Sequence, residues 1–275
     1  MESDGANPSG RDSSEQASAP ESRRPFSSAV HLEETDSTNS ELLRQAAAGA
    51  PEGTVVVARR QTAGRGRHGR HWADRPGASL LCSLLFRPSL PSSELHLFPT
   101  LVSLAALDAC YEVSGFELAC KWPNDLVDPG GAKVAGLLSE VAGGALVVGI
   151  GVNCGLPDVD PGEASGQVSS LEELMGKRVD PAEVLDVLLA GVASRHGELI
   201  SAPGAEAAER LMAEYRWRCS TIGQRVSVET ATGLLIGTAV EIDSAGRLVL
   251  EGETGRLRLS AGDVVHLRPA RRPGG

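Results

Sequence analysis

Aromatic side chains make up only 3% of this 275-residue sequence, so its core must be built from the Ala, Val and Leu that dominate a 41% apolar content. Five cysteines are present, an odd number with no Cys-x-x-Cys pair among them. That argues against a disulfide framework or a cysteine-rich zinc module and reads as reduced thiols in a cytoplasmic protein. No uninterrupted apolar run reaches membrane-spanning length, and the polar, acidic N-terminus lacks the pattern of a secretory signal. A net charge of −10 argues against a nucleic-acid-coating protein and against binding to anionic membranes. Lysine is scarcest of the charged residues: Lys121, Lys133 and Lys177 stand against 23 arginines. A lone surviving lysine reads as chance retention on a solvated surface, but two flanking one motif point to a place where a guanidinium fork does not substitute for a compact cation.

One strongly basic segment breaks this acidic background. No carboxylate occurs between Glu52 and Asp74, and five arginines (59, 60, 65, 67 and 70) fall in that window. Its centre reads Gly64-Arg65-Gly66-Arg67-His68-Gly69-Arg70-His71-Trp72. Glycine at every second or third position frees backbone N–H groups to converge on an anion. Arginine adds planar, permanently charged forks that match carboxylate and phosphate oxygens. The pattern is that of a loop closing over a small, highly charged ligand. The plainer alternative is a solvated basic turn, or a nucleic-acid patch, but no second basic surface or stripe of stacking aromatics accompanies it. Gly64 to Gly69 formally matches G-x-G-x-x-G, yet a dinucleotide fingerprint must open a helix and His71 to Gly77 is not helical in pattern. The G-x-x-x-x-G-K-[ST] phosphate loop is absent. His68 and His71 have no third ligand nearby in sequence, which a zinc site needs.

Two of the three lysines fall in a second segment, Lys121-Trp122-Pro123-Asn124-Asp125 followed by Lys133-Val134-Ala135-Gly136. A structural turn is the plainer reading of Pro-Asn-Asp. Gly149-Ile150-Gly151-Val152-Asn153 is a glycine-rich strand end, of the kind that admits close backbone approach. Asp36-Ser37-Thr38-Asn39 precedes a helix and offers several capping oxygens, a role compatible with ligand binding.

Residues 1–28 contain almost no hydrophobes and read as a disordered tail whose removal leaves stability and catalysis unchanged. Order is expected from near Val30. Periodicity and capping signals predict helices over 41–48, 98–113, 181 towards 196, and 205–217. Strands are predicted over 54–58, 79–86, 117–122, 133–141 and 145–152, the last two joined as a hairpin at Gly143-Gly144. After Cys219 the pattern changes to short strands (224–230, 234–242, 247–251, 256–260 and 264–267) between glycine-rich turns, which is the pattern of a small β barrel. The expected division is a tail at 1–28, an α+β domain at 29–219, a barrel domain at 220–270 and a short tail at 271–275.

Taken in order, Ser37-Thr38-Asn39, Gln61 through Trp72, Lys121 through Asp125, Lys133 through Leu138, Gly149 through Asn153 and the terminal barrel resemble the biotin protein ligases over about residues 30–268. The most specific piece is G-R-G-R-x-G-R-x-W; His68 and His71 stand at loop positions that are often basic in that family. The resemblance implies an α+β catalytic domain, with a mixed sheet and flanking helices, plus an SH3-like C-terminal barrel. It implies two half-reactions: biotin and ATP give biotinyl-5′-AMP and pyrophosphate, then a lysine of a biotin carboxyl carrier domain, of the acyl-CoA carboxylase class, takes the biotinyl group. By motif match, Ser37, Thr38, Asn39, Gln61, Gly64, Arg65, Gly66, Arg67, Lys133 and Gly136 line the biotin side. Arg65, Arg67, Arg70, Trp72, Asn124, Asp125, Lys133 and Asn153 serve ATP, with Lys133, Arg67 and Arg65 as the catalytic groups and Mg²⁺ near Asp125. A cytoplasmic monomer or weak homodimer is expected. DNA binding is not, because the polar N-terminal residues have no room for a helix-turn-helix. The competing readings are a lipoate ligase or octanoyltransferase of the same fold, and a non-catalytic biotin-binding regulator. The arginine loop and barrel favour biotin; Lys133 together with the loop arginines favours catalysis.

Overall fold

The apolar strands assemble side by side in a computed structural model that describes residues 25–72, 75–156, 168–201, 204–230, 233–253, 255–260 and 262–266. They are β1 (Val30–Leu32), β2 (Val55–Ala58), β3 (Ser79–Phe86), β4 (Ala119–Lys121), β5 (Asp125–Val127), β6 (Lys133–Ala142) and β7 (Ala145–Asn153). Their order across the sheet is β1-β2-β3-β7-β6-β5-β4. β1 and β2 run parallel and every other neighbouring pair is antiparallel, so the sheet is mixed. The β6–β7 turn is the predicted one: Gly143 and Gly144 have φ of 56° and 77°, the left-handed pair a two-residue hairpin needs. Residues 1–24 and 267–275, which make up most of the two expected tails, lie outside the described residues, as does 157–167.

Among the described residues five α-helices accompany this sheet: α1 (Thr38–Ala47), α2 (Leu97–Ser114), α3 (Leu171–Met175), α4 (Pro181–Ser201) and α5 (Ala205–Trp217). α2 tolerates Pro99 because it falls in the first turn, and Gly115 stops the helix at φ 73°. Asp180 starts α4 by accepting the Ala182 N–H at 2.9 Å. The span Ser92–Ser114 is long and apolar enough to cross a membrane by length and composition, but it is largely buried as a core helix. It packs against α4, α5 and the sheet, which explains an apolar surface on all sides.

The period of two along the strands divides the burial. Leu80, Cys82, Leu84 and Phe86 of β3 join α2 and α4 in the main core. Val56, Leu85 and Val147 face the other way, onto Leu42 and Ala46 of α1. α1 is short, so it covers only part of that second face.

A second sheet, entirely antiparallel, contains β8 (Arg225–Thr230), β9 (Gly233–Ile242), β10 (Leu248–Gly252), β11 (Gly255–Leu259) and β12 (Asp263–His266) in the order β11-β10-β9-β8-β12. It has the form of an SH3-like barrel. The connection from α5 runs along the edge of the first sheet, where the backbone at Cys219 pairs in parallel with that at Cys120.

Several expectations need correction. Phe26, placed in the tail because its neighbours are polar, is 1% exposed. Its ring packs 5.0 Å from that of Phe86 and 5.3 Å from that of His196. α1 begins at Thr38, three residues earlier than expected, with Ser37 as its N-cap residue. The short elements β5 and α3 were not foreseen.

Candidate active site

The sheet face left open beside α1 is floored by glycine. Ser83, Gly149 and Leu138 stand opposite one another across β3, β7 and β6. One pleat further on, Leu81, Gly151, Gly136 and Asp125 form a second row. Each glycine is needed for a different neighbour. A Cβ on Gly149 would run into the Asn39 carboxamide, and one on Gly151 would lie 2.5 Å from the Trp72 indole. A Cβ on Gly136 would come within 2.7 Å of Lys133 Cε and Nζ and 3.0 Å of the Trp72 ring. The sequence therefore makes a trough by leaving side chains out, and fills part of it with Trp72 and Lys133.

The start of α1 forms a polar wall. Gln61 Oε1 accepts the Thr38 N–H at 2.8 Å and its hydroxyl at 3.2 Å. The Ser83 hydroxyl lies 2.8 Å from Thr38 Oγ1 and 2.6 Å from Asn39 Oδ1. Asn39 Nδ2 donates to the Leu138 carbonyl at 3.1 Å and to Glu140 at 2.8 Å. Ser37 is buried, yet its side chain makes no capping bond, so capping does not account for it. Beside it, hydrogen bonds from Arg44 hold the Asp36 carboxyl well below the usual carboxylate range.

The arginine loop arches over this wall. Gly66 N–H donates to the Arg70 carbonyl at 2.7 Å and Trp72 N–H to the Gly64 carbonyl at 3.0 Å. A 3-10 turn at Arg67–Gly69 lies between them. Loop and β6 enclose a cleft of about 540 Å³, lined by Ala63–Arg67 and Gly69–His71 of the loop and by Leu138 and Glu140. That size suits a small-molecule site. Arg65 Nη2 donates to Glu140 and to the Ser40 hydroxyl, both at 2.9 Å. Arg67 Nη1 donates to the Gly262 carbonyl of the barrel domain at 3.2 Å. Arg70 lines the same cleft.

At the far end Lys133 folds back over Gly136. Its ammonium is 2.7 Å from Asp125 Oδ1 and 5.4 Å from the Trp72 ring centroid, an ion pair beside a cation–π contact. Asn153 is buried and donates to the Ser169 carbonyl at 3.1 Å. Its Oδ1 and the Trp72 indole N–H are both buried and without a hydrogen-bond partner among the described residues. Unpaired buried polar atoms are costly, so these two are candidates for bonds to a ligand. Asn124 Nδ2 donates to the Leu137 carbonyl of β6 at 3.0 Å, which ties the Pro-Asn-Asp turn to the sheet. Among the described residues no group of three His, Cys, Asp or Glu side chains is placed to hold a metal by itself. All five cysteines are buried and reduced; burial pushes the Cys82 thiol up to about 12, so it is no nucleophile.

The fold thus gathers Ser37, Thr38, Asn39, Gln61, the loop from Gly64 to Trp72, Asp125, Lys133, Gly136 and Asn153 on one side of the sheet. Sequence reasoning missed Ser83, Ser40, Glu140 and the separate purposes of Gly149 and Gly151. Ser83 did leave a signal, as a polar residue in the middle of an apolar strand that is buried along its whole length.

The family profile described as Biotin/lipoate A/B protein ligase family matches residues 32–156, and that of the Biotin protein ligase C terminal domain matches residues 221–267. Biotin–[acetyl-CoA-carboxylase] ligase of Mycobacterium tuberculosis is 39% identical over 86% of this chain and 87% of that protein. The enzyme of the same name from Paracoccus denitrificans is 38% identical over 85% of this chain and 98% of its own length. Among solved structures, biotin protein ligase from Aquifex aeolicus in complex with biotin and ATP superposes with a TM-score of 0.76 at 28% identity, covering 89% of this chain and all of that one.

Proposed function

Because the chain belongs to the biotin protein ligase family, and so is a ligase, we propose that it activates biotin with ATP and transfers it to a lysine of a carboxylase carrier domain. In the first step a biotin carboxylate oxygen attacks the α-phosphorus of ATP as the bond to pyrophosphate breaks, leaving biotinyl-5′-AMP. In the second, the carrier's lysine amine attacks the biotinyl carbonyl, an amide forms, and AMP leaves. The observation that carries this reading is the placement of Lys133. Its ammonium lies beside Asp125 and the ring of Trp72, the residue that ends the arginine loop, where a compact cation can serve a carboxylate and a phosphate together.

Each part of the site has a matching task. The wall of Ser37, Thr38, Asn39 and Gln61 offers paired donors and acceptors to the ring of biotin. Its narrow, glycine-floored trough holds an uncharged bicycle. Arg65, Arg67 and Arg70 neutralise a polyphosphate, and Trp72 with Asn153 Oδ1 offers a stacking face and an acceptor for an adenine amino group. Lys133 draws the two anions together, and this positioning and charge stabilisation is the main catalytic resource in phosphoryl-type transfer. A Mg²⁺ ion brought in with the triphosphate needs only one or two protein carboxylates, and Asp125 is the one beside Lys133. Such an ion would neutralise charge on the departing pyrophosphate. The buried, reduced thiols suit a cytoplasmic setting.

Biotin-dependent exchange of labelled pyrophosphate into ATP tests the proposal. Exchange is expected with biotin and not with lipoate or octanoate; support by either of the others alone would move the protein to the lipoate branch of the fold.

The loop itself gives a second expectation. Arg65, which ties the loop to β6 and α1, is held by one carboxylate and one hydroxyl and is 43% exposed, so this tie is weak in water. Trypsin should therefore cut within residues 65–70 in the free protein and be blocked when biotin and ATP are present. Equal cutting in both states would contradict closure over the ligand.

A further inference from the structure

We propose that the β9–β10 turn of the barrel is a positioning element for the adenylation site: the Gly246 carbonyl, by accepting the Trp122 indole N–H, holds the Trp122–Asp125 segment so that Asp125 stays on Lys133. The link to activity rests on the ligase reading above; the geometry does not.

The turn is stiff before it touches anything. The Asp243 carboxylate accepts the backbone N–H groups of Ala245 and Arg247, both at 3.0 Å, and Arg247 Nε at 2.9 Å. Gly246 N–H closes it on the Asp243 carbonyl at 2.9 Å. The turn sits on the larger domain through His96, whose Nε2 is 3.1 Å from the Ser244 carbonyl. Gly246 has φ 73°, and a Cβ there would lie 2.9 Å from the His96 ring, so the seat fits glycine only.

From this seat the Gly246 carbonyl meets Trp122 Nε1 at 2.9 Å. Trp122 is 3% exposed, and its backbone N–H donates to the Thr221 hydroxyl at 3.1 Å, at the domain junction. Two residues on, Asn124 is tied to β6 twice, by its carbonyl to Leu137 N–H at 2.8 Å and by Nδ2 to the Leu137 carbonyl at 3.0 Å. Asp125 follows at once. The chain that presents its carboxylate to Lys133 is therefore fixed by the barrel at one end and by β6 at the other. The ion pair cannot hold itself: the Lys133 and Asp125 side chains are 36% and 32% exposed, and pairs so hydrated are weak. The backbone tethers set the distance. This gives Trp122 a purpose within Lys-Trp-Pro-Asn-Asp, a motif in which it reaches away from the cleft.

The test uses the full chain and its shortage of lysine. Only Lys121, Lys133 and Lys177 can be acetylated on a side chain, so mass spectrometry resolves each, with Lys177 as internal reference. With its ammonium against Asp125 and its last two heavy atoms folded over Gly136, Lys133 is partly shielded from an acylating reagent, and loosening Asp125 frees it to swing into solvent. Trp122→Phe keeps the ring and removes the N–H. It is expected to raise the Lys133-to-Lys177 labelling ratio about threefold or more, and to lower the kcat of biotin-dependent pyrophosphate exchange about tenfold while biotin Kd stays within twofold. His96→Ala, on the partly exposed seat of the turn, should shift the ratio in the same direction, and the double variant should do no more than the larger single one. An unchanged labelling ratio in both single variants overturns the proposal. If Trp122→Phe does not fold, His96→Ala decides by the same ratio: a rise supports the tether and no change overturns it. A wild-type protein without biotin-dependent exchange would sink the ligase reading, and the labelling ratio would still decide the tether.

Discussion

Lys133→Arg is expected to fold like the parent protein and yet lose adenylation by about 3 kcal/mol or more, roughly 150-fold in rate. The reason lies in the space around the ammonium. Lys133 reaches its place by folding over Gly136, where even a methyl group would be 2.7 Å from its last two heavy atoms. On one side stands the Trp72 ring and on the other Asp125, 2.7 Å away. A guanidinium is planar and wider, and it brings its charge to a different point. If Lys133 joins biotin's carboxylate to the α-phosphate as proposed, its interaction strengthens as charge shifts in the transition state. The loss should then fall on kcat more than on KM. Folding is spared, because a lysine over a third exposed at the start of a strand contributes little to the core. A surface lysine without a role would give near-parent pyrophosphate exchange in both Lys133→Arg and Lys133→Ala.

Phe26→Ala should destabilise the protein by about 3–5 kcal/mol, the usual cost of emptying a buried phenylalanine site. Phe26 is held with φ 61°, a left-handed conformation unfavourable for a side chain of this size, and the burial of its ring must offset that. Gly53 makes room for it: a Cβ there would lie 2.6 Å from Pro25 Cα, while the Phe26 N–H donates to the Gly53 carbonyl at 3.2 Å. The ring then closes a cluster with Phe86 and His196, next to Phe98, and His196 Nε2 lies 3.3 Å from Glu52. Deleting residues 1–24 keeps Phe26 and its cluster partners in the chain, whereas deleting 1–28 removes the plug. Urea titration should show the first deletion at the parent midpoint and the second shifted down together with Phe26→Ala. Matching midpoints for all of them would show that Phe26 adds nothing.

Phe26 also shows where sequence reasoning fails. One phenylalanine among serines, prolines and charged residues is averaged away in any window that judges a segment by composition. Its value appears only when Phe86, Phe98 and His196, from three other elements, are brought around it. Elements with strong local rules were legible at their bounds: β3 by its unbroken apolar run, the β6–β7 hairpin by Gly-Gly, and α5 by its spacing. β5 was not, because three residues beside a Pro-Asn turn carry no period of their own. The site follows the same division. The loop arginines and Lys133, proposed here as site residues, stand out by residue type and spacing alone. Ser83 and Glu140 do not, because their purpose depends on which sheet face they share with Asn39 and Arg65. A sequence period identifies two faces of a strand but not which one meets the ligand.

The central claim is tested most directly by following one labelled turnover. The protein would be mixed with biotin and ATP labelled at the α-phosphate, and the bound product identified by mass spectrometry. A carrier domain from an acyl-CoA carboxylase is then added. The expected result is biotinyl-5′-AMP in near-stoichiometric amount, followed by release of labelled AMP and a carrier heavier by one biotinyl group on a single lysine. Biotin bound without adenylate, or an adenylate that the carrier does not discharge, would contradict it.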